Sequence, residues 1–375
     1  MSYKILLSGY FGFDNVGDEA ILNAMIKGLR KEIPEAELVA LSANPILTAK
    51  KNGIRSIDRM SILAIIKEMK DMDLFISGGG SLFQDVTSKR SILYYLGVAY
   101  LAKKIFRKKV MIYSQGIGPV IHESNRKKVA KLFNQLDVIN VRDKQSMLEL
   151  NSMGVMDNIK VTTDTVFSLE KPDFQLGKEL LEKNGVDTKK LTVGVSVRSW
   201  KDCTPRIVDE MVKTIEGLRG RDMNVVMLPF HFPHDLEVCE KIYAKLELDE
   251  RDALKPYVMK ELMGEEAFLS VMVNMDIMVS MRLHGLIFAT VCNAYPIGIS
   301  YDPKIQSLLE EMGREKAMEV EDINATELIS QIEYAIENID ELREKTVDMA
   351  ELMRDRALAN NKMVKELLTD ENIRS

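Results

Sequence analysis

Arg282 and His284 stand one leucine apart in VSMRLHGLIFAT (279–290), a stretch otherwise apolar enough for a protein core. Arginine is rarely buried fully without a partner, and stranding its charge among apolar groups is costly. The pair therefore asks for an anion opposite it, or for a surface. The run MDIMVS (275–280) reads as a strand, and GLIFATVCNA reads as a buried helix starting near Gly285. Arg282 and His284 then sit on the turn at the carboxyl end of a strand, where open α/β sheets bind ligands. The helix start adds N–H donors and positive potential, which favour an anion. The competing expectation is that Arg282 pairs with a core carboxylate and His284 caps backbone.

Other strand ends in the same half carry similar groups. VGVSVRSW ends a strand at Arg198, followed by Trp200 and Lys201, and LPFHFPHD places His231 and His234 after the strand 224–229. Pro229 and Pro233 are expected to hold that loop extended. ISYDPKI sets Asp302 and Lys304 after the last strand. Each residue alone reads as a solvated loop charge. Together, Arg198, His234, Arg282, His284 and Lys304 are expected to gather at one carboxyl edge, which suits a substrate carrying phosphate or carboxylate.

The first half offers glycine turns instead. SGYFGFDNVGDEAIL (8–22) follows the first strand and opens the first helix, with Gly12, Asn15 and Gly17 as candidate substrate contacts and Asp18 in the first helical turn. It is neither GxGxxG nor a Walker loop, which counts against an ordinary dinucleotide or ATP site. FISGGGSLFQD (75–85), with Gly79 and Gly80, and YSQGIGPV (113–120) are two more turns after strands. NVRDKQS (140–146) places Arg142 at a further strand end, where a salt bridge with Asp143 is the plainer alternative.

These residues need a scaffold, and the chain supplies one. Short apolar runs alternate with amphipathic stretches in the first half (KILLS, LVALS, DLFIS, VMIYS, VINV, IKVT) and again in the second (LTVGVSV, NVVMLP, YVM, MDIMVS, PIGIS). Runs this apolar suit parallel strands covered by helices on both faces. The expected fold is α/β, with two doubly wound Rossmann-like domains facing a cleft and a helical C-terminal tail. We place them at 1–172, 173–342 and 343–375, the tail packing back on the first domain. The pattern lapses between about 165 and 190, which marks the connection. At 375 residues the chain exceeds one comfortable core. A net charge of −6 argues against nucleic acid. Three scattered cysteines with no CxxC argue against zinc or disulfides, so no metal is expected. No signal pattern precedes YKILLSGY, and no run reaches about eighteen apolar residues. The expected location is the cytoplasm.

The ordered set GYFGFDNVGDEAIL, SGGGSLFQD, QGIGP, VRD, VSVR and SMRLHGLIFA resembles the polysaccharide pyruvyl transferases over roughly residues 1–310. It is most similar to their cell-surface-anchoring branch, which acts on secondary cell-wall polymer precursors in bacteria with S-layers. The resemblance implies a glycosyltransferase-B-like fold, phosphoenolpyruvate as donor and co-substrate, and no separate cofactor. It also implies a lipid-linked N-acetylmannosamine acceptor and a 4,6-pyruvate ketal as product. The family's arginine and histidine fall on Arg282 and His284. Arg198, Lys304 and Arg142 would support the donor's charges, and Asp18 an acceptor hydroxyl. The rival function is a glycosyltransferase with a nucleotide-sugar donor, for which Trp200 could stack a base. KKIFRKKV (103–110) holds five cations in eight positions and raises the expectation of peripheral membrane contact. The oligomeric state is left open.

Overall fold

The computed structural model describes residues 3–86, 90–249, 254–314 and 316–369. Two compact units divide the chain, Met1–Ser168 with Met353–Ser375, and Leu169–Leu352.

The first unit is built on a parallel sheet of seven strands among the described residues: β1 (Lys4–Ser8), β2 (Glu37–Ser42), β3 (Arg55–Asp58), β4 (Leu74–Gly78), β5 (Lys109–Gln115), β6 (Val138–Val141) and β7 (Ile159–Val161). The apolar runs form strands because both faces are covered: Ile5, Leu6 and Leu7 of β1 are all buried. Strand β3 was not expected. Its sequence RSID carries one apolar residue and lies at the sheet edge, so it pairs through its backbone with β2 and leaves no hydrophobic signature. The order is β3-β2-β1-β4-β5-β6-β7. The order in which strands are laid down reverses between the parallel neighbours β1 and β4, so the loops after these two strands flank the switch point where such sheets bind ligands.

The second unit repeats the plan with β8 (Thr192–Ser196), β9 (Asn224–Met227), β10 (Tyr257–Val258), β11 (Ile277–Ser280), β12 (Tyr295–Ser300) and β13 (Met318–Glu319). Their order is β10-β9-β8-β11-β12-β13. The reversal here lies between β8 and β11, the strands that end just before Arg198 and Arg282. The stretch read as a lapse in pattern contains a helix, Gln175–Lys183. Its Gly177 N–H donates to Ser270 Oγ at 2.7 Å. A Cβ at Gly177 would come within 2.0 Å of the Ser270 carbonyl oxygen, so only glycine allows this approach.

Two helices end the described residues. The first, Ala325–Glu337, is capped by Asn324, whose side chain accepts the Glu327 N–H at 3.1 Å. The second runs Ile339–Thr369, and its residues from Met353 onward belong to the first unit. Met353, Ala357, Asn360, Asn361, Val364, Leu367 and Leu368 are buried at helical spacing. The polar pair in this stripe is held through its side-chain oxygens: Tyr113 Oη donates to Asn361 Oδ1 at 2.8 Å, and Thr162 Oγ1 to Asn360 Oδ1 at 2.6 Å, while Asn361 Nδ2 is buried without a hydrogen-bond partner among the described residues. Residues 370–375 of the expected tail lie outside the described residues.

Candidate functional site

In the second unit, Arg282 is the N-cap residue of the helix Leu283–Val291, and His284 lies in its first turn. Ser280, the last residue of β11, fixes the turn: its Oγ accepts the Arg282 N–H at 2.9 Å and donates to the Arg282 carbonyl at 2.8 Å. The Arg282 guanidinium reaches Asp235 in a two-point fork, Nε to Oδ2 at 2.9 Å and Nη2 to Oδ1. Asp235 is 1% exposed, and its Oδ2 also accepts the N–H groups of Phe230 (3.2 Å) and His231 (3.0 Å). Arg282 is 14% exposed. The opposing expectations thus both describe part of the site. Arg282 pairs with a core carboxylate, and it still lies at the strand end beside a helix start.

Asp235 belongs to the segment read as a loop with donor histidines. That segment was expected to be extended. Instead Pro233 takes helical dihedrals (φ −84°, ψ −5°) as the N-cap of the helix His234–Tyr243, which turns Asp235 inward. His231 and His234 meet edge to face with centroids 5.0 Å apart. Burial holds the His231 imidazole below its ordinary pKa, helped by Arg282, His234 and Arg198 and opposed by Asp235. His231 is therefore neutral at neutral pH and able to accept a proton.

The cations converge on Tyr301, the residue after β12. Arg198 Nη1 donates to Tyr301 Oη at 3.0 Å, and its guanidinium carbon lies 4.8 Å from the ring centroid. Lys304 Nζ lies 5.9 Å from the same ring while pairing with Asp302 at 3.0 Å. The Trp200 ring packs against Tyr301 at 4.6 Å between centroids. Burial would raise the Tyr301 phenol, but Lys304, Arg198 and Arg282, with the Arg198 hydrogen bond, outweigh it and leave its pKa below the ordinary value. Arg198 and Lys304 thus bring positive charge to the Tyr301 ring from two strand ends, and Arg282, forked to Asp235, adds to the field at its phenol, an arrangement that suits an anionic ligand.

In the first unit, Asn15 caps the helix Val16–Glu32 by accepting the Gly17 N–H at 3.1 Å. The Gly12 N–H donates to Glu19 at 2.7 Å, and the space a Gly12 side chain would need is filled by Ser42 and the Asn44 backbone. Gly12, Asn15 and Gly17 are thus engaged in shaping the loop. Gly79 is pressed against Ile21, whereas a Cβ on Gly80 would lie 3.0 Å from Asp18 Oδ1, so Gly80 keeps the approach to that carboxylate open. Arg142 is 5% exposed and committed on all three nitrogens: Asp164 at 3.1 Å, Asp143 at 3.4 Å and Ser81 Oγ at 3.0 Å.

Sequence reasoning missed Arg59, which follows β3. It is 9% exposed, with its guanidinium carbon 5.0, 4.3 and 5.3 Å from the rings of Phe13, Tyr94 and Tyr95. Tyr10 stacks on Phe13 at 4.1 Å. Both terminal nitrogens of Arg59 contact Tyr95 Oη at 3.3 Å, and among the described residues it has no ion-pair partner. Burial raises the Tyr95 phenol to about 12, with Arg59 opposing and Asp18 adding to the rise. The signal was hidden because RSIDR has no apolar run to mark a strand end. Among the described residues no group of three His, Cys, Asp or Glu side chains could hold a metal.

The model of the polysaccharide pyruvyl transferase family matches residues 15–303. No curated protein sequence matches the chain significantly. Among solved structures, Anabaena HepE in complex with UDP-glucose is 14% identical, with 98% of this chain and 99% of that chain covered at a TM-score of 0.65. A glycosyltransferase from Rickettsia africae is 15% identical, covering 99% of each chain at 0.64. UDP-GlcNAc 2-epimerase from Neisseria meningitidis bound to UDP-GlcNAc is 13% identical, covering 99% of this chain and 100% of that chain at 0.63. At such identities the likeness is one of fold, and that fold is glycosyltransferase-B-like.

Proposed function

The chain belongs to the polysaccharide pyruvyl transferase family, and on that premise we propose that its second unit binds phosphoenolpyruvate. The observation that carries this reading is the convergence of Arg198, Arg282 and Lys304 around Tyr301. Phosphoenolpyruvate bears a phosphate and a carboxylate on one and the same carbon, and arginine forks match either group. The acceptor in this reading is an N-acetylmannosamine unit of a lipid-linked secondary cell-wall polymer precursor, as in the cell-surface-anchoring branch. The reaction would then take place in the cytoplasm.

The chemistry balances without a resident cofactor. One acceptor hydroxyl adds to the central carbon of the enol as the methylene carbon takes a proton and becomes methyl. The C–O bond to phosphate breaks, and the second hydroxyl closes the ketal. Of the two hydroxyl protons, one ends on the methyl carbon and one on the departing phosphate. His284 serves as general acid or base, since an imidazole offers one nitrogen that donates and one that accepts a proton. Arg282, Arg198 and Lys304 hold the donor and offset charge growing on the leaving phosphate. His231 and His234 border the same cations. On the first unit, Asp18 orients or deprotonates an acceptor hydroxyl beside Gly80, and Arg142 braces the loops of Ser81 and Asp164.

The test is phosphate release from phosphoenolpyruvate with and without a synthetic lipid-linked N-acetylmannosamine acceptor. Acceptor-dependent release, lost in His284→Ala and Arg282→Ala, is expected. The HepE and epimerase structures hold UDP-sugars, so a nucleotide-sugar glycosyltransferase is the competing reading. Thermal stabilisation by UDP-sugars and none by phosphoenolpyruvate would establish that rival.

A further inference from the structure

The first unit carries a surface groove away from every residue given a donor or acceptor role above; of the basic stretch 103–110 it takes in Lys104. It lies between the helix Ser91–Tyr100, the π-turn Leu101–Ile105 that continues it, and the helix Glu123–Phe133, and its volume is about 410 Å³. The floor is Leu93, Leu96, Gly97, Tyr100 and Leu132. Two of these are large side chains left open, Leu93 at 39% and Tyr100 at 48% exposed. A Cβ built on Gly97 meets nothing within 4 Å, so the groove is vacant above the helix backbone.

Apart from Gln135, the remaining lining is cationic. Lys104 comes from the π-turn, and Lys128 and Lys131 from the facing helix. Among the described residues none of the three has an ion-pair partner, although nearby lysines do: Lys103 pairs with Asp137 at 2.7 Å, and Lys127 with Glu123 at 3.7 Å. The basic stretch 103–110 is therefore not one uniform patch. Lys103 is neutralised and Lys109 donates to the Leu367 carbonyl at 2.6 Å, so those two serve the fold. Lys104 instead shares its groove with two lysines more than twenty positions away in the chain.

We propose that this groove docks the protein on a membrane surface rich in anionic phospholipid. An apolar trough within reach of three unneutralised ammonium groups matches a phospholipid, whose anionic phosphate lies beside its acyl chains. Lysine stems lie along the apolar walls while their heads meet phosphates. A polyanion without a hydrocarbon chain would use the charges and leave the trough empty. The attraction of each lysine to an anionic leaflet corresponds to roughly a fivefold change in binding, so three together amount to on the order of a hundredfold.

The experiment is co-sedimentation of the full chain with phosphatidylcholine vesicles, with or without phosphatidylglycerol, in the absence of donor and acceptor. Binding to the anionic vesicles alone is expected. It should weaken on the order of a hundredfold in Lys104→Gln/Lys128→Gln/Lys131→Gln. Gly97→Glu should also abolish it. That residue occupies open space and favours the helix more than glycine, so the variant is expected to fold and melt no lower than the parent. Equal binding to both vesicle types, no binding to either, or unchanged binding by both variants overturns the proposal. So does displacement from vesicles by polyglutamate at matched charge, which would assign the site to an acidic polymer. The readout needs no transfer chemistry, so its failure and a failure of the pyruvyl transfer reading are separable.

Discussion

Asp235→Asn isolates what holds the donor site in shape. The carboxylate accepts two backbone N–H groups and both prongs of Arg282 while only 1% exposed. Asparagine keeps a carbonyl oxygen for one or two of these donors and turns an NH₂ toward the rest. The fork is lost, and Arg282 faces a neutral group. At an effective dielectric of about 20, two charges about 4 Å apart attract by about 4 kcal/mol. Removing one member of a buried pair costs about 3–5 kcal/mol. Arg282 keeps 14% exposure, so water offsets part of this, leaving about 2–3 kcal/mol. For a unit of this size each kcal/mol moves Tm by about 2–4 °C. Calorimetry should therefore show the second unit melting roughly 4–12 °C lower. The positive charge remains but its aim is lost, so kcat for phosphate release should fall on the order of a hundredfold with KM for phosphoenolpyruvate little changed. Arg282→Ala, by contrast, should damage both. A variant with Tm and kcat within error of the parent would refute the view that Asp235 positions Arg282.

Tyr301, Glu19 and the three cysteines yield expectations of their own. The Tyr301 phenol is held below its ordinary pKa, so its stabilising contribution is present above about pH 10 and is lost as pH falls through the folded value. An anionic donor would neutralise the cations responsible and raise that pKa again. Phosphoenolpyruvate should therefore lower phenolate absorbance at alkaline pH, and Tyr301→Phe should remove the change. In Glu19, burial raises the carboxyl pKa despite the Gly12 N–H and Lys51, with Asp14 adding to the rise. A raised acid contributes stability below the unfolded pKa and loses it as pH rises through the folded one, so ionised Glu19 is unfavourable at neutral pH. Glu19→Gln, which can still accept the Gly12 N–H, should raise Tm at pH 7, with the gain vanishing below about pH 4 in a melting series. Burial pushes the Cys239 thiol up strongly and that of Cys292 to about 12, while Cys203 is half-buried. A thiol reagent should titrate one group in the native protein and all three after unfolding.

Local pattern accounts for much of this molecule. Buried strands announce themselves as unbroken apolar runs such as KILLS and IMVS, because parallel sheets bury both faces. The chemistry-bearing turn at Arg282 and His284 is equally visible, since a charge inside an apolar run must meet a counter-charge or solvent to offset its desolvation. Edge strand β3 escaped, because RSID is held by backbone pairing with β2 and by polar contacts of Arg55 and Ser56, and Ile57 alone supplies an apolar side chain.

Residue types and their order are enough to mark the groups able to serve an anion and to put them at the carboxyl ends of strands. How those groups are held depends on contacts between distant parts of the chain. Asp235 and Arg282 are 47 positions apart, and Arg198 and Tyr301 are 103 apart. Whether such groups meet depends on the strand order, which reverses beside β8 and β11 and brings their loops together. The same holds for Arg59 among its aromatic rings and for Lys128 and Lys131 opposite Lys104. A charge in a sequence has a sign but no neighbours, and its neighbours decide whether it steadies the fold or awaits a ligand.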